Sequence, residues 1–106
     1  MITLSELKWD NEGLMPAVVQ NAATSEVLAI AYMDEPCLKE SMERGFPCYR
    51  GVSADEVCRR EEQKIEEILT SEDLDTLLIT VTGHGSEDSD YELRLYRRKE
   101  ARPYEA

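Results

Sequence analysis

Apolar residues in the first third of the chain fall into two runs that predict paired strands. Residues 15–22 are mostly apolar and include a proline near their start, which suits the first residues of a strand. After a turn at 23–25, residues 26–33 contain an unbroken apolar run, a pattern typical of a strand that is buried on both faces. We expect the two strands to form a hairpin.

Signals for the two ends of a helix follow this run directly. Asp34 is a residue type that caps helices, and Pro36 suits the first helical turn. Gly45 suits the position that follows the last turn. The sequence therefore predicts a helix between Asp34 and Gly45, and a short strand at residues 47–50.

The second half of the chain contains one ambiguous segment and two that resemble strands. Over residues 53–69, a capping-box pattern and apolar residues at helical spacing favour a helix that continues to Leu69. Residues 75–82 are rich in Leu, Ile, Val and Thr, and residues 91–98 alternate between apolar and polar types. We expect these two strands to form a second hairpin around the polar loop 83–90.

Together these elements predict a small single α+β domain over residues 1–106, with two β-hairpins and one or two helices. The tail at 99–106 carries a proline and is expected to fray. A chain of 106 residues suits one domain but buries only a thin core. Dimerisation would therefore stabilise it.

Composition disfavours several classes of function for this acidic chain. Twelve basic residues against 23 acidic ones leave a net charge of −11, which repels nucleic-acid phosphates and anionic lipids. The longest apolar run is far shorter than the about 20 residues of a membrane-spanning helix, and the N-terminus lacks the pattern of a signal peptide. The three cysteines form no C-x-x-C pair, which indicates free thiols and a cytoplasmic location. We expect no nucleic-acid or membrane partner.

Two blocks near the N-terminus resemble the phosphoribosyl-AMP cyclohydrolase family. Residues 13–20, GLMPAVVQ, are similar to that family's G-L-I-P-A-I-x-Q, and residues 26–34, EVLAIAYMD, are similar to its E-V-L-M-L-A-Y-M-N. The resemblance implies an enzyme of histidine biosynthesis that opens the purine ring of phosphoribosyl-AMP with water. It also implies a homodimer with metal sites where the subunits meet, and a strand at residues 64–70. We therefore expect a helix over 54–62 and a strand after it.

The metal-binding signatures of the family are only partly present. The chain reads SEDLDTLL at 71–78, where the family has D-C-D-x-D-A-L-L, and DSDYELRL at 88–95, where the family has C-H-T-G-x-x-S-C. Asp73 and Asp75 match two of three aspartates that the family uses for magnesium, and Ser71 replaces the third. The positions of the three zinc cysteines hold Glu72, Asp88 and Leu95.

The segment that the family uses for substrate binding is also changed. Between Gly45 and Gln63 the chain is shorter than the family pattern W-x-K-G-x-T-S-G-N-x-Q, of which only Gln63 is recognisable. His84 is the single histidine, so no histidine pair can supply replacement ligands, and we expect it to be an exposed loop residue.

These replacements lead us to expect no zinc site. Leu95 has no lone pair, and the carboxylates of Glu72 and Asp88 cannot reproduce a site of three thiolates. Two interpretations of Glu72, Asp73, Asp75 and Asp88 stay open. They converge on Mg²⁺ or Ca²⁺, for which oxygen ligands are suited, or they are solvated residues of a strand end and a loop.

The sequence favours a cyclohydrolase-like homodimer that has lost the histidine-biosynthesis activity, with no catalytic residues and no required cofactor. Such a protein would be repurposed to bind a small molecule or another protein. One alternative is an active metal-dependent hydrolase of phosphoribosyl-AMP or a related purine nucleotide. A further alternative is a structural or regulatory module that binds nothing small.

Overall fold

Seven strands and one α-helix make up most of the part of the chain that the computed structural model describes, residues 2–50, 56–82 and 95–97. A short 3-10 helix, Leu4–Glu6, precedes them. In chain order the elements are β1 Leu14–Asn21, β2 Val27–Asp34, α1 Glu35–Arg44, β3 Cys48–Arg50, β4 Val57–Arg59, β5 Lys64–Thr70, β6 Leu77–Thr82 and β7 Leu95–Arg97.

The strands form a single mixed sheet in the order β4-β3-β2-β1-β6-β5-β7. Four antiparallel pairs join strands that are consecutive in the chain, β1 with β2, β2 with β3, β3 with β4 and β5 with β6. The parallel pairing of β1 with β6 joins the two halves of the sheet at its centre, and β7 pairs parallel with β5 at one edge. One sheet and one α-helix confirm the α+β class.

The β1–β2 hairpin and α1 were both predicted from local signals, and both are confirmed. The Asn21 side chain closes the hairpin turn by accepting hydrogen bonds from the backbone N–H groups of Ala23 and Thr24, at 2.8 and 3.0 Å. Asp34 caps α1, since its Oδ1 accepts a hydrogen bond of 2.8 Å from the Cys37 N–H. Gly45 ends α1 with a φ of +84°, a conformation in which a side chain would be strained.

The helix expected over 54–62 is wrong for residues 56–62, the described part of that range. Val57–Arg59 form β4, which pairs with β3 through Tyr49 and Cys58, and a turn leads from it into β5. The exposed edge of β3 offers backbone hydrogen bonds to this segment, and such tertiary pairing overrides a local helical pattern. The strand at 64–70 is confirmed.

The expected hairpin of the strands at 75–82 and 91–98 is not formed, and β6 forms a hairpin with β5 instead. The antiparallel pair of β3 with β4 comes in addition to the two hairpins expected. Strand β6 is paired with β1 on one edge and with β5 on the other, so neither edge is left for the 91–98 segment. The described part of that segment, β7, lies instead beside β5. The loop at 83–90 and the tail at 99–106 lie outside the described residues.

The core fills the space between one face of the sheet, α1 and the N-terminal segment. On β1, every second residue points into it, and Met15, Ala17 and Val19 are at most 1% exposed. The same cluster contains Ile2 and Leu7 of the N-terminal segment, Leu38 of α1, Ile79 of β6 and Leu95 of β7. Within the described ranges, no helix is long and apolar enough to cross a membrane.

The helix and the N-terminal segment cover only one side of the sheet, so part of β2 is exposed on the other side. The expectation that this strand is buried on both faces is therefore wrong for the single chain. Met33 is fully buried, whereas Ile30 is 77% exposed and Tyr32 is 51% exposed. The antiparallel register places Ile30 beside Val18 and Tyr32 beside Pro16 on β1. These four residues, which we call the apolar face, lie on the side of the sheet opposite the core.

Candidate functional site

The turn that joins β5 to β6 carries most of the residues in the predicted metal site. The Ser71 N–H donates to the Thr76 carbonyl at 2.9 Å, and the Leu74 N–H donates to the Ser71 carbonyl at 3.0 Å. Leu74 adopts a φ of +64°, a left-handed conformation that is uncommon for leucine. Its carbonyl accepts a 2.9 Å hydrogen bond from the Lys8 N–H, which ties the N-terminal segment to the turn.

Side chains within this turn bond to each other. The Ser71 hydroxyl donates to Oδ1 of Asp75 at 2.7 Å and accepts from the Asp75 N–H at 3.2 Å. The Thr76 hydroxyl donates to the same carboxylate oxygen at 3.3 Å. The hydrogen bond from Ser71 is the main reason that the pKa of Asp75 lies below its ordinary value. The carboxylate of Asp75 is therefore held in its charged form by two hydroxyl groups.

Glu72 and Asp73 lie in the same turn and are exposed. Among residues 2–50, 56–82 and 95–97, no three His, Cys, Asp or Glu side chains are grouped so that they could hold a metal ion. Asp88 and His84 lie outside the described residues. The described part of the predicted metal site therefore does not converge by itself.

Leu95, which stands where the resemblance places a zinc cysteine, is a core residue. Its side chain is 1% exposed and belongs to the same apolar cluster as Ile2 and Ile68. Its carbonyl accepts a hydrogen bond of 2.8 Å from the Ile2 N–H. The residues present do not fit the family's zinc, because a leucine side chain has no lone pair to donate and the exposed Glu72 offers only hard oxygens.

Gln63, the one recognisable residue of the substrate segment, lies in the turn between β4 and β5. Its backbone N–H donates to the Arg60 carbonyl at 3.1 Å, and its side-chain Oε1 is buried without a hydrogen-bond partner. The Arg60 Nε donates to the Tyr49 hydroxyl at 2.8 Å, which fixes the same turn against β3. The turn is thus held by protein contacts.

Sequence reasoning missed an ion pair at the N-terminus of α1. The Arg50 Nε donates to Oδ2 of Asp34 at 2.9 Å, while Oδ1 of Asp34 caps the helix. Burial acts to raise the pKa of Asp34, but hydrogen bonds from the Cys37 N–H and from Arg50 outweigh it, and the pKa is lowered. The partners are far apart in the chain, and no local pattern indicates their contact.

The two buried thiols are poor nucleophiles. Burial is the main cause that raises the pKa of Cys37 to about 11, and it raises the pKa of Cys48 to about 11 as well. Cys58 is partly exposed, and all three thiols are free. Since the thiolate is the reactive form, the geometry around Cys37 and Cys48 favours packing over chemistry.

Curated relatives agree in their names. A histidine biosynthesis bifunctional protein HisIE of Caldanaerobacter subterraneus subsp. tengcongensis is 39% identical over 90 residues, which are 80% of this chain but only 44% of that relative. The phosphoribosyl-AMP cyclohydrolase of Pelotomaculum thermopropionicum is 35% identical over 88 residues, 78% of this chain and 68% of that protein. That of Methanococcoides burtonii is 32% identical over 90 residues, 80% of this chain and 74% of that protein. No family model matches the chain. These relatives establish that the chain belongs to the phosphoribosyl-AMP cyclohydrolase family.

Proposed function

We propose that this chain is a phosphoribosyl-AMP cyclohydrolase homologue that has lost the ring-opening activity and acts by binding a small molecule or a protein. The observation that carries the proposal is the burial of Leu95 in the core, at a position where the family's chemistry needs a zinc ligand. Water becomes an effective nucleophile toward a purine ring near neutral pH when the pKa of the water is lowered. A metal with an open coordination position is the usual means of lowering it.

The substrate segment supports the same proposal. Gln63 is retained, but the residues before it form the short strand β4 and a tight turn that Arg60 and Tyr49 hold against β3. The charged residues of this turn do not repeat the small and hydroxyl-bearing residues of the family pattern. A chain that lacks both the zinc ligands and this segment is not equipped for the family's reaction.

Any cation that bound near the β5–β6 turn would be coordinated by oxygen ligands. Glu72, Asp73, Asp75 and Asp88 offer carboxylates alone, which would select Mg²⁺ or Ca²⁺ over zinc. We propose no required cofactor. A cytoplasmic location is part of the proposal and is supported by the three free thiols.

We propose that the partner is a second copy of this chain, bound through the apolar face to form a homodimer. Exposed Ile30 and Tyr32 lie beside Pro16 and Val18 on two neighbouring central strands, where cross-strand neighbours share one side of the sheet. An apolar patch of this kind on a single chain is typical of an interaction surface. A second copy would cover it with an identical patch. The net charge of −11 disfavours nucleic-acid and anionic-membrane partners.

Turnover of phosphoribosyl-AMP by the purified chain, with zinc and magnesium added, tests the loss of activity. We expect no turnover above the uncatalysed rate under conditions in which the Pelotomaculum thermopropionicum relative is active. Turnover by this chain that a chelator abolishes would show that the activity is retained. Calorimetric titration with adenine and guanine nucleotides at low salt then separates a small-molecule binding protein, which gives a saturable signal, from a module that binds nothing small.

A further inference from the structure

We propose that this domain has replaced the metal ligands of its family by structural contacts, so that its fold is held without a divalent cation. The inference concerns the same residues as the proposed function, but it is a statement about stability. A domain without activity could still depend on a structural cation, and unfolding experiments detect that dependence whether or not any turnover occurs.

Leu95 provides the first of these contacts. In β7, Leu95 pairs with Ile68 of β5, and the Leu95 carbonyl accepts a hydrogen bond from the Ile2 N–H. Leu95 therefore joins the edge of the sheet to the N-terminal segment. With 1% of its side chain exposed, it contributes apolar packing at this junction. A position that would bind a cation through sulfur now stabilises the fold through burial.

The pair of Ser71 and Asp75 provides the second contact. A hydroxyl donor lies 2.7 Å from Oδ1 of Asp75, and Thr76 donates to the same oxygen, so this oxygen is already satisfied by protein groups. Ser71 stands where the family has an aspartate. A second carboxylate there would repel Asp75 unless a cation lay between them, whereas a hydroxyl bonds to Asp75 directly.

The turn is also held through its backbone, which removes the need for a cation to close it. The Ser71 N–H reaches the Thr76 carbonyl at 2.9 Å, and the Lys8 N–H reaches the Leu74 carbonyl at 2.9 Å. Leu74 packs against the core in its left-handed conformation. Backbone and side-chain bonds thus connect β5, β6 and the N-terminal segment.

Thermal unfolding of the full chain in EDTA, Zn²⁺, Mg²⁺ and Ca²⁺ provides the test. We expect the same Tm in all four buffers. Ser71→Ala and Asp75→Ala should each lower Tm, because each substitution removes the hydrogen bond that joins the two side chains. The double variant should lose less than the sum of the two, and the shifts should be equal with and without Mg²⁺.

Asp73→Ala is the matched control, because Asp73 is an exposed acidic residue of the same turn. If the turn is held by hydrogen bonds, Asp73→Ala should lower Tm by less than Ser71→Ala or Asp75→Ala does, since substitutions of surface residues are usually close to neutral. A cation-bound turn predicts that Asp73→Ala and Asp75→Ala lose equal stability, and only when Mg²⁺ or Ca²⁺ is present. A Tm that falls in EDTA, a saturable rise with any of the three cations, or an unchanged Tm in Ser71→Ala would overturn the proposal.

Discussion

Replacing Ile30 by lysine should break the proposed homodimer without unfolding the chain. Ile30 is 77% exposed and lies on the apolar face, so the single chain has little packing to lose at this position. In the dimer, its exposed part would be covered by the second copy. The substitution therefore separates an effect on association from an effect on folding.

The expected size of the effect follows from the buried area. Complete burial of an isoleucine is worth about 1.5–3 kcal/mol, so covering its exposed part is worth about 1–2 kcal/mol in each copy. A symmetric interface contains the residue twice, which gives about 2–4 kcal/mol. At 1.4 kcal/mol for each factor of ten, Ile30→Lys should raise the dimer Kd about thirtyfold to several hundredfold.

The change in net charge acts in the opposite direction to the expected rise in the dimer Kd. Each chain carries a net charge of −11, and a lysine reduces that to −10, which lowers the repulsion between copies. A weaker dimer after this change therefore does not come from a larger net charge on each copy. Dimerisation of the unchanged chain should also weaken as salt is removed, because screening beyond about 8 Å is lost below physiological ionic strength.

Sedimentation equilibrium at about 150 mM salt measures this Kd. The control is Asn11→Lys, which adds the same charge at an exposed turn residue outside β1 and β2. We expect a mass of about twice 12.1 kDa for the unchanged chain and for Asn11→Lys, and for Ile30→Lys a lower average mass that corresponds to the raised Kd. A monomeric unchanged chain, or equal Kd values for the two variants, would refute the proposed interface.

Two further predictions concern α1 and the thiols. Asp34→Asn keeps the helix cap but loses the ion pair with Arg50. It should lower the free energy of unfolding, measured in urea, by about 1 kcal/mol, against about 2 kcal/mol for Asp34→Ala. The folded-state pKa of Asp34 lies below its ordinary value of 3.8. The extra stability of the unchanged chain over Asp34→Asn should therefore be full above pH 3.8 and disappear as the pH falls through the folded-state pKa. A stability difference that does not depend on pH would contradict this. At pH 8, a disulfide reagent should modify Cys58 alone in the folded chain and also Cys37 and Cys48 in denaturant, as mass spectrometry would show, since both buried thiols have a pKa of about 11. Rapid modification of either buried thiol in the folded chain would contradict the burial argument.

Local signals were enough to predict the first half of the fold. The polar turn near Asn21 bonds to its own backbone, and Asp34 and Gly45 begin and end α1 with groups that are adjacent in the chain. Each of these features is decided within a few residues, so a pattern of residue types is sufficient to find it. The hairpin and the helix were therefore confirmed close to their expected bounds.

Pairing between distant segments could not be predicted in the same way. Val57 and its neighbours have the spacing of a helix, yet the segment forms β4 because the edge of β3 is available to it. Similarly, β6 has both edges occupied, by β1 and β5, and this excluded the expected hairpin with the 91–98 segment. Availability of a strand edge is a property of the whole sheet, and a single sequence gives little information about it.

The apolar run in β2 shows how a correct observation can lead to a wrong local explanation. The run is more apolar than a strand with one covered face needs, and burial on both faces was the simplest interpretation. In the structure, α1 and the N-terminal segment both cover the same side of the sheet, so the described part of the chain leaves at least half of Ile30 and of Tyr32 exposed. Both residues are large and apolar, and exposing them to water as neighbours is costly. The proposed second copy would supply the second covered face that the sequence indicates.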